Sequence, residues 1–587
     1  MSISANYPNL RPSLNLDFAN SKVLDPRITF SRASTATYYD GKTTVKAEEN
    51  LLLRSQEFDV TPWQPQNGCV ITSNTTVAPD GTTTADTATN INAASAVAIS
   101  QNISLVSGNT YTLSLYAQAG TTTTLHLGAY QGGFLTATPS IYSGPGSVSG
   151  TGIVSVSGLQ AGSWTRVVLT FTASSTGICA IMLYPEVSAT GTGKSVIFWG
   201  AQLEQRSTVT AYTPTTSAPI TNYIPALQTA AANVARFDHD PVTGESKGLL
   251  IEEQRTNLIL QSQDFDNAAW TKADATISAN SVVAPDGTLT ADKLVESSTT
   301  AIHYARQAFT FSATAYAFSI YLKAAGRNWA HILAGSLSCY FDLSGGVVGT
   351  AAGGTTGTIN SVGNGWYRCT ITGTATAVAD FVYVRTASAN NTNNYTGDGY
   401  SGIYIWGAQL EAGSFPTSYI GTTTAQVTRS ADSASMTGTN FSSWYRADEG
   451  TLYGEAAGYS TSNSSIAVLR DSGTVYANQI TLDRSSGNAP RFAGNAASVV
   501  QFSLPSSGFT AGTFFKLSGA YKVNDFAASF NGASVLTDTS GVVPTSIVQM
   551  EIGRLGQSQN EYINGTIKRI AYYPKRLSNT ELQSLTS

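Results

Sequence analysis

The sequence predicts an all-β protein built from tandem antiparallel β-sandwiches of the jelly-roll kind. Apolar and small polar residues alternate in many short runs, which is the period of a strand with one buried face and one wet face. Turn signals such as Pro79-Asp80-Gly81 and Asn364-Gly365 separate these runs. A long stretch of the chain also occurs twice, which indicates one sandwich domain in two diverged copies.

Three motifs carry the duplication, and each returns after 206 or 207 residues. They are Asn-Leu-Leu-Leu-Arg-Ser-Gln-Glu-Phe-Asp at 50–59, matched at 257–266, Val-Ala-Pro-Asp-Gly-Thr at 77–82 and 283–288, and Trp-Gly-Ala-Gln-Leu-Glu at 199–204 and 406–411. This spacing is far longer than that of a solenoid repeat, so each copy is expected to hold its own core. Such a duplication is typical of a protein that extends and adheres.

Matching strand signals recur in both copies. Tyr111–Tyr116 alternates large apolar with small polar residues, and its counterpart is Tyr316–Tyr321. A second pair of strands begins at Trp164 and Trp366, with Leu169 on the predicted buried face of the first. Many short strands separated by turns are typical of an antiparallel sandwich.

The last third of the chain is predicted to be a different sandwich, closed by a short helix. Phe526–Gly532 ends in a hairpin-type Asn-Gly, and Ser578 with Glu581 forms a capping box that predicts a helix start. A chain of 587 residues is long enough for several domains. The expected division is an N-terminal attachment segment at 1–48, the first sandwich at 49–218, a connector at 219–256, the second sandwich at 257–424 and the C-terminal sandwich at 425–587.

Charge and hydropathy exclude several classes of function. Only 12% of the residues are charged and the net charge is −5, so the chain has no basic footprint for nucleic acid. No run approaches the roughly 18 apolar residues that span a bilayer, so membrane insertion is not expected. The start at Met1–Pro8 lacks the charged and apolar regions of a signal peptide, which predicts synthesis in the cytoplasm without general secretion.

Cysteine and histidine form no metal or redox motif. The cysteines lack Cys-x-x-Cys spacing and do not occupy equivalent places in the two copies, so buried free thiols are expected. The histidines are scattered without the pair spacing of a zinc site, and we predict no metal and no cofactor. The residues are Cys69, Cys179, Cys339, Cys369, His126, His239, His303 and His331.

The repeated Trp-Gly block allows two interpretations. An exposed indole could stack on the face of a sugar ring and form a duplicated glycan site. However, the block follows the apolar run Val196–Phe198, and glycine after tryptophan indicates close backbone approach. We therefore predict a buried core strand, with Glu204 and Glu411 binding backbone amides rather than a ligand.

Two short motifs are predicted to be turns rather than ligand sites, and a third lacks the context of a nucleotide site. Asp238-His239-Asp240 could bind calcium or a proton, but it fits a turn stabilised by Asx side chains. Asp398 lies between two glycines and could join a calcium loop, although a lone aspartate there is typical of a turn. The first copy has Gly191–Lys194 where the second has Asp398–Ser401, so the two copies could not share a ligand role for Asp398. Gly191-Thr192-Gly193 lacks the strand–helix context of a nucleotide site.

These residues resemble a known family. The motif at 50–59, followed by Ala-Pro-Asp-Gly-Thr and Trp-Gly-Ala-Gln-Leu-Glu, resembles the carbohydrate-binding-module-like sandwiches of tailed-phage tail and fiber proteins. Residues 32–38 and 237–241 are similar to connecting motifs in those proteins. Residues 564–578 resemble the last strand of the concanavalin A/laminin G-like lectin fold. The resemblance covers most of residues 12–587 and predicts that the C-terminal sandwich is lectin-like.

The resemblance implies a structural virion protein that is released by lysis of the host cell. The main expectation is a tail fiber or receptor-binding appendage, commonly a homotrimer, that binds host surface polysaccharide through several weak sites, with the C-terminal sandwich as the distal tip. Its N-terminal 48 residues would attach it to phage tail or capsid proteins. One alternative is a head fiber or capsid decoration protein, and another is a polysaccharide depolymerase.

The sequence predicts no enzymatic activity. Glycoside hydrolysis needs paired carboxylates, but the acids of the last third form no closely spaced Glu-x-Asp-x-x-Glu cluster, and the β-helix period of a depolymerising tailspike is not seen. No Ser/His/Asp or Cys/His set is recognisable, so no catalytic residue is assigned, and the glycan-binding residues stay open. The acids are Asp432, Asp448, Glu449, Glu455, Asp471, Asp483, Asp525, Asp538, Glu551, Glu561 and Glu581.

Overall fold

The computed structural model describes residues 8–92, 96–187, 192–460, 463–473, 475–485, 489–556 and 561–587. These residues fold into three antiparallel β-sandwiches, which confirms the predicted all-β class. The terminal helix begins at the predicted capping box, where Ser578 and Glu581 bond to each other's backbone. No helix in the described ranges has the length and apolarity to cross a membrane.

The elements are numbered in chain order. The N-terminal segment holds β1 (Leu14–Asp17), α1 (Phe18–Ser21), β2 (Thr29–Ser31) and β3 (Ala36–Asn50). The first sandwich holds β4 (Gln64–Gln66), β5 (Cys69–Thr76), β6 (Ala85–Asn90), β7 (Val97–Leu105), β8 (Thr110–Ala119), β9 (Leu125–Tyr130), β10 (Ala137–Ser143), β11 (Ser147–Ser149), β12 (Val154–Ser157), β13 (Thr165–Thr172), β14 (Gly177–Glu186) and β15 (Ser195–Glu204).

The next strands lead into the second sandwich. The intervening stretch holds β16 (Ile220–Ala230), β17 (Arg236–His239), β18 (Ser246–Ile251) and β19 (Arg255–Asn257). The second sandwich holds β20 (Thr271–Ala273), β21 (Ala275–Val282), β22 (Ala291–Glu296), β23 (Thr300–Ile302), β24 (Tyr304–Phe311), β25 (Ala315–Ala325), β26 (Trp329–Ala334), β27 (Leu337–Asp342), β28 (Val347–Ala351), β29 (Thr356–Gly363), β30 (Trp366–Thr374), β31 (Val378–Ala387), β32 (Asn394–Thr396) and β33 (Gly402–Ala412).

The last part of the chain completes the C-terminal sandwich. It holds β34 (Val427–Arg429), β35 (Ser433–Thr437), α2 (Thr439–Ser442), β36 (Glu449–Gly458), β37 (Ser464–Arg470), β38 (Gln479–Arg484), β39 (Pro490–Ala496), β40 (Val499–Pro505), β41 (Phe515–Lys522), β42 (Phe526–Phe530), β43 (Leu536–Asp538), β44 (Gln549–Ile552), β45 (Gly565–Tyr573) and α3 (Asn579–Thr586).

The C-terminal sandwich is assembled from three separate parts of the chain. One sheet runs β17-β18-β45-β36-β41-β42-β43, with β1 also paired to β45, and the other runs β2-β35-β44-β37-β38-β39-β40. The expected serial division therefore does not hold for the segment at 1–48 or for the connector at 219–256. A strand as short as β1 can bury its apolar face only by joining a larger sheet. By pairing with β45, β1 buries Leu14 and Leu16.

Each repeated sandwich is an insertion into this C-terminal scaffold. The chain leaves for the first sandwich along β3 and returns along β16, and these two strands pair as an antiparallel ribbon. It leaves for the second along β19 and returns along β34, which also pair. Both sandwiches are therefore held by paired strands rather than by single linkers.

A buried ionic cluster, which we call the junction cluster, ties these crossings together. Asp432 accepts hydrogen bonds from Arg32 at 3.0 Å and from Arg236 at 2.6 Å. Glu252 pairs with Arg236 at 2.8 Å and with Arg429 at 3.5 Å. Burial alone would raise the pKa of Glu252, but Arg429 and Arg236 hold it at about 2. All five side chains are buried, and they lie beside the points where the ribbons leave and re-enter the scaffold.

The two repeated sandwiches share a strand plan but differ in routing. The first has sheets β10-β13-β8-β15-β6-β5 and β11-β12-β9-β14-β7-β4, and the second has sheets β29-β30-β25-β33-β22-β21 and β28-β27-β26-β31-β24-β20. After β9 the chain crosses to β10 and returns as the hairpin β11–β12. After β26 it continues through β27 and β28 and then crosses to β29. The copies therefore diverge most between residues 131 and 164.

Each repeated sandwich encloses its own core, as the length of the repeat predicts. Cys69 and Cys179 lie in the first core, and Cys339 and Cys369 lie in the second. All four are buried free thiols, which confirms the prediction from their spacing. The cysteines act as small apolar core residues.

Candidate functional site

The repeated Trp-Gly block is a buried core strand in both copies, as predicted. The Trp199 indole donates to Thr84 Oγ1 at 3.0 Å, and the Trp406 indole donates to Thr290 Oγ1 at 3.2 Å. The following residue, Gly200, has φ +64° and lies against two tyrosine rings, where a side chain would be both strained and crowded. The indoles are therefore not available to stack on a sugar.

The polar residues of the block fasten a neighbouring loop. Glu204 accepts from the backbone N–H of Thr210 at 3.1 Å and from its hydroxyl at 2.6 Å. Glu411 holds Thr417 in the same way, at 2.9 and 2.5 Å. The prediction that both glutamates bind backbone amides is confirmed. The duplicated motif therefore has a structural role, which is to hold the loop that follows it.

Asp240 and Asp398 form turns as predicted, but Asp238 and His239 lie in strand β17, where Asp238 accepts from the N–H of Tyr39 at 2.9 Å. Asp240 accepts from the N–H groups of Val242 and Thr243, both at 3.0 Å. Asp398 accepts from the N–H groups of Tyr400 and Ser401 at 2.9 and 2.7 Å. Gly191 lies outside the described residues, so the first copy offers no comparison there.

A pair of buried aspartates clamps the first loop of each repeated sandwich. Asp86 accepts from the N–H groups of Phe58 and Asn74, both at 2.8 Å. Its equivalent, Asp292, accepts from Phe265 and Asn280, both at 2.9 Å. The duplication has thus preserved this clamp in both copies.

Asp264, Asp266 and Asp292 form an acidic cluster that the sequence analysis did not identify. Their carboxylate oxygens lie within 4.8 Å of one another, which is close enough to share a cation. Asp292 follows the other two by more than 20 positions, so only the fold brings the three together. Both oxygens of Asp292 already accept backbone hydrogen bonds.

Because the pKa values of Asp86 and Asp292 are raised, we expect the repeated sandwiches to become more stable in mild acid. Burial, with help from nearby acids, raises the pKa of Asp86 and of Asp292 to about 6. The unfolded chain has a pKa of about 3.9 there, so the folded state binds the proton more tightly. Each group should add on the order of 2 kcal/mol to the free energy of unfolding as pH falls from 7 to 4.

Calorimetry at pH 7 and at pH 4 measures this gain. The Asp292→Asn variant should lose it in the second sandwich and keep it in the first, where Asp86 is intact. An unchanged pH response of the second sandwich in that variant would contradict the assignment to Asp292.

An open groove lies on the surface of the first sandwich. This groove has a volume of about 690 Å³. Its wall carries Phe134, which is 36% exposed, and the neighbouring Tyr130, which is 42% exposed. The lining residues are Thr110, Gln131, Gly132, Gly133, Phe134, Leu135, Thr136, Thr138, Thr170, Phe171, Thr172 and Ser174. Aromatic and hydroxyl groups therefore converge on one open groove.

The floor of the groove is a set of threonines on adjacent strands. Thr138 of β10 lies opposite Thr170 of β13. Thr172 lies opposite Thr110 in the next row. Their alternation with core residues follows from the two-residue period of a strand. The outward face of this sheet therefore presents a row of hydroxyl groups.

The wall of the groove is fastened by Gln131. Its Oε1 accepts from the N–H groups of Ser174 and Ser175 at 3.1 and 3.2 Å, and its Nε2 donates to the carbonyl of Ser175 at 2.7 Å. The Tyr130 and Phe134 rings meet edge to face at 5.2 Å. This places the Phe134 ring in a defined position at the rim.

The second sandwich lacks the loop that builds this wall. In the first, residues 131–136 separate β9 from β10, whereas in the second only Gly335 and Ser336 separate β26 from β27. The sequence analysis did not identify this groove because its loop falls in the stretch where the two copies differ. The spacing of the repeated motifs around this loop is 122 residues in the first copy and 123 in the second, so it gives no signal of the groove.

Comparison with known proteins yields only partial similarities. No family model matches the chain, and no curated protein matches it. A solved structure of the CBM40 of the Ruminococcus gnavus IT-sialidase bound to α2,3-sialyllactose is 15% identical, covers 25% of this chain and 88% of its own, and gives a TM-score of 0.22. Domain 4 of the arabinanase AbnA from Geobacillus stearothermophilus, in complex with arabinotriose, is 9% identical, with 30% and 82% coverage and a TM-score of 0.22.

The NanB sialidase from Streptococcus pneumoniae is 16% identical over 26% of this chain, with a TM-score of 0.23. The chain spans about a quarter of the length of that enzyme, since the match covers 26% of it. The function of this chain is therefore inferred from its own residues.

Proposed function

We propose that this protein is a structural phage virion protein, a tail fiber or receptor-binding appendage that adheres to host surface glycans. The virion role is supported by the motifs at 50–59, 199–204 and 564–578, which resemble those of tailed-phage appendages. Attachment through the first 48 residues and assembly as a homotrimer belong to the same proposal. Adhesion without hydrolysis is the activity we propose.

The groove on the first sandwich is the observation that supports glycan binding. Sugars present C–H groups on the face of the ring and hydroxyl groups around its edge. An exposed aromatic ring matches the first, and a row of threonine hydroxyls matches the second. The groove offers Phe134 for stacking and Thr138 and Thr170 for hydrogen bonds.

Weak sites of this kind gain strength when several copies act together. Linked sites bind with an effective concentration set by their spacing, so that avidity exceeds the affinity of each site. A homotrimer would present three such grooves to a surface that carries many identical glycans. The ribbons that hold each sandwich would keep the grooves at fixed spacing.

Replacing Phe134 by alanine is expected to weaken binding to host polysaccharide by about 10-fold, because the loss of one aromatic contact costs roughly 1.4 kcal/mol. The measurement is calorimetric titration of the purified full chain with polysaccharide from the host surface. The matched control is Tyr223→Ala, since Tyr223 is 59% exposed on the ribbon and outside the groove.

Equal affinity of the Phe134→Ala variant and the parent would overturn the groove assignment. Failure of the parent chain to bind host cells or host polysaccharide would overturn the adhesion proposal itself. New reducing ends after incubation with the polysaccharide would instead show a depolymerase.

A further inference from the structure

Arg484, at the end of β38, is a buried guanidinium with no acidic partner among the residues that the structure describes. The residue is only 2% exposed to solvent. Within the described part of the chain, none of its three guanidinium nitrogens has a hydrogen-bond partner. Its Cζ lies 3.8 Å from the centroid of the Phe509 ring. Burial lowers the pKa of Arg484 to about 10.

Two other buried arginines, Arg236 and Arg470, have acidic partners. Arg236 bonds to Asp432 and Glu252, and Arg470 bonds to Glu551 at 3.0 Å. A buried charge without a partner is costly, so natural chains seldom keep one without a use. The sequence holds no Asp or Glu between Asp483 and Asp525. An anion from outside the chain is the missing partner that this environment indicates.

The side chain of Arg484 lies on the core-facing side of β38, beneath the segment that follows β40. Along β38, Ile480 and Leu482 lie in the core, and the two-residue period places Arg484 on the same face. The segment at 506–514 between β40 and β41 brings Phe509 over the guanidinium. Arg484 therefore lies at the inner edge of the sandwich, beneath one aromatic ring.

The covering segment is lightly fastened. Ser506 donates to the carbonyl of Pro490 at 2.8 Å, and Gly512 donates to the carbonyl of Gly458 at 2.9 Å. Gly508 and Gly512, with φ +86° and +76°, lie on either side of Phe509. Five of the nine residues of this segment are exposed, and its main apolar contact is that of Phe509 with Phe515 and the core.

We propose that Arg484 binds the carboxylate of an acidic sugar, with Phe509 moving aside to stack on the sugar ring. This inference rests on the proposed glycan-binding function and adds a second site with a different ligand preference. The guanidinium fork matches a planar carboxylate with two parallel hydrogen bonds. Tyr459, which is 48% exposed and lies against Gly512, offers a second aromatic face.

The test is titration of the full chain with a glucuronate oligosaccharide and with its carboxyl-reduced glucose counterpart. The parent should bind the acidic form more tightly, and Arg484→Gln should remove that preference, weakening binding by roughly 10- to 100-fold. The matched control is Arg446→Gln, since Arg446 is an exposed arginine of the same sandwich. Phe134→Ala should keep the preference, so that failure of this site and failure of the groove are distinguishable.

Equal binding of the two oligosaccharides by the parent would overturn the proposal. Inorganic phosphate binding to Arg484 as tightly as the acidic oligosaccharide would show a general anion site and overturn the sugar assignment. Arg484→Leu gives a separate check, because an unpaired buried charge can be replaced by an apolar residue without loss. Its Tm should be unchanged or raised, and a lowered Tm would reveal a partner within the chain and contradict the proposal.

Discussion

Replacing Asp432 by asparagine is expected to lower the free energy of unfolding of the C-terminal sandwich by about 3–5 kcal/mol. The carboxylate of Asp432 faces two buried guanidinium groups, those of Arg32 and Arg236. Asparagine occupies the same volume but carries no charge, so both arginines would lose their shared anion. Breaking a buried ion pair on one side costs more than the pair contributes, because the remaining charges stay buried.

The effect should also extend to the anchoring of both inserted sandwiches. Arg32 and Asp432 are 400 positions apart, and they lie next to the strands that lead to and from the insertions. Calorimetry should show a lower Tm for the C-terminal unit, by on the order of 10 °C. The control is Asp448→Asn, whose partner Arg446 is exposed and whose loss should leave the Tm nearly unchanged. Equal shifts in the two variants would show that the junction cluster does not stabilise the fold.

Replacing Trp406 by alanine is expected to destabilise the second sandwich by about 3–5 kcal/mol. The indole is fully buried and packs against Tyr419 at 4.7 Å and Tyr321 at 5.3 Å. It also shares a buried cluster with Ile224 and Leu227 of the β3–β16 ribbon. Removal of the indole therefore leaves a cavity between the second sandwich and the β3–β16 ribbon.

The duplication supplies an internal comparison for this prediction. Trp199 occupies the equivalent position in the first sandwich, where its cluster is smaller and includes the half-buried residues Tyr116 and Trp164. Trp199→Ala should therefore cost less than Trp406→Ala, since a partly open site collapses more easily. Chemical denaturation followed by fluorescence measures both. A larger loss from Trp199→Ala would contradict the contribution that we assign to the ribbon.

Local chemistry was predictable where the signal lies in a few neighbouring residues. The capping box at Ser578, the Asx turn at Asp240 and the burial of the Trp-Gly block all follow from residues within about one turn or strand of each other. The free thiols followed from the absence of paired spacing. The groove was not predictable, because its floor joins Thr138 of β10, Thr170 and Thr172 of β13 and Thr110 of β8 across three strands.

The sequence by itself determined the all-β class, the two copies of the sandwich and the structural nature of their repeated motif, since each is written in local periodicity or direct repetition. Only the tertiary structure decided that the C-terminal sandwich is the scaffold, that both copies are insertions, and that Arg32, Arg236 and Asp432 meet in one buried cluster. Strand pairing depends on which apolar faces can be buried together, and those faces are separated by hundreds of residues. The pairing of these distant strands therefore cannot be predicted from a local sequence pattern.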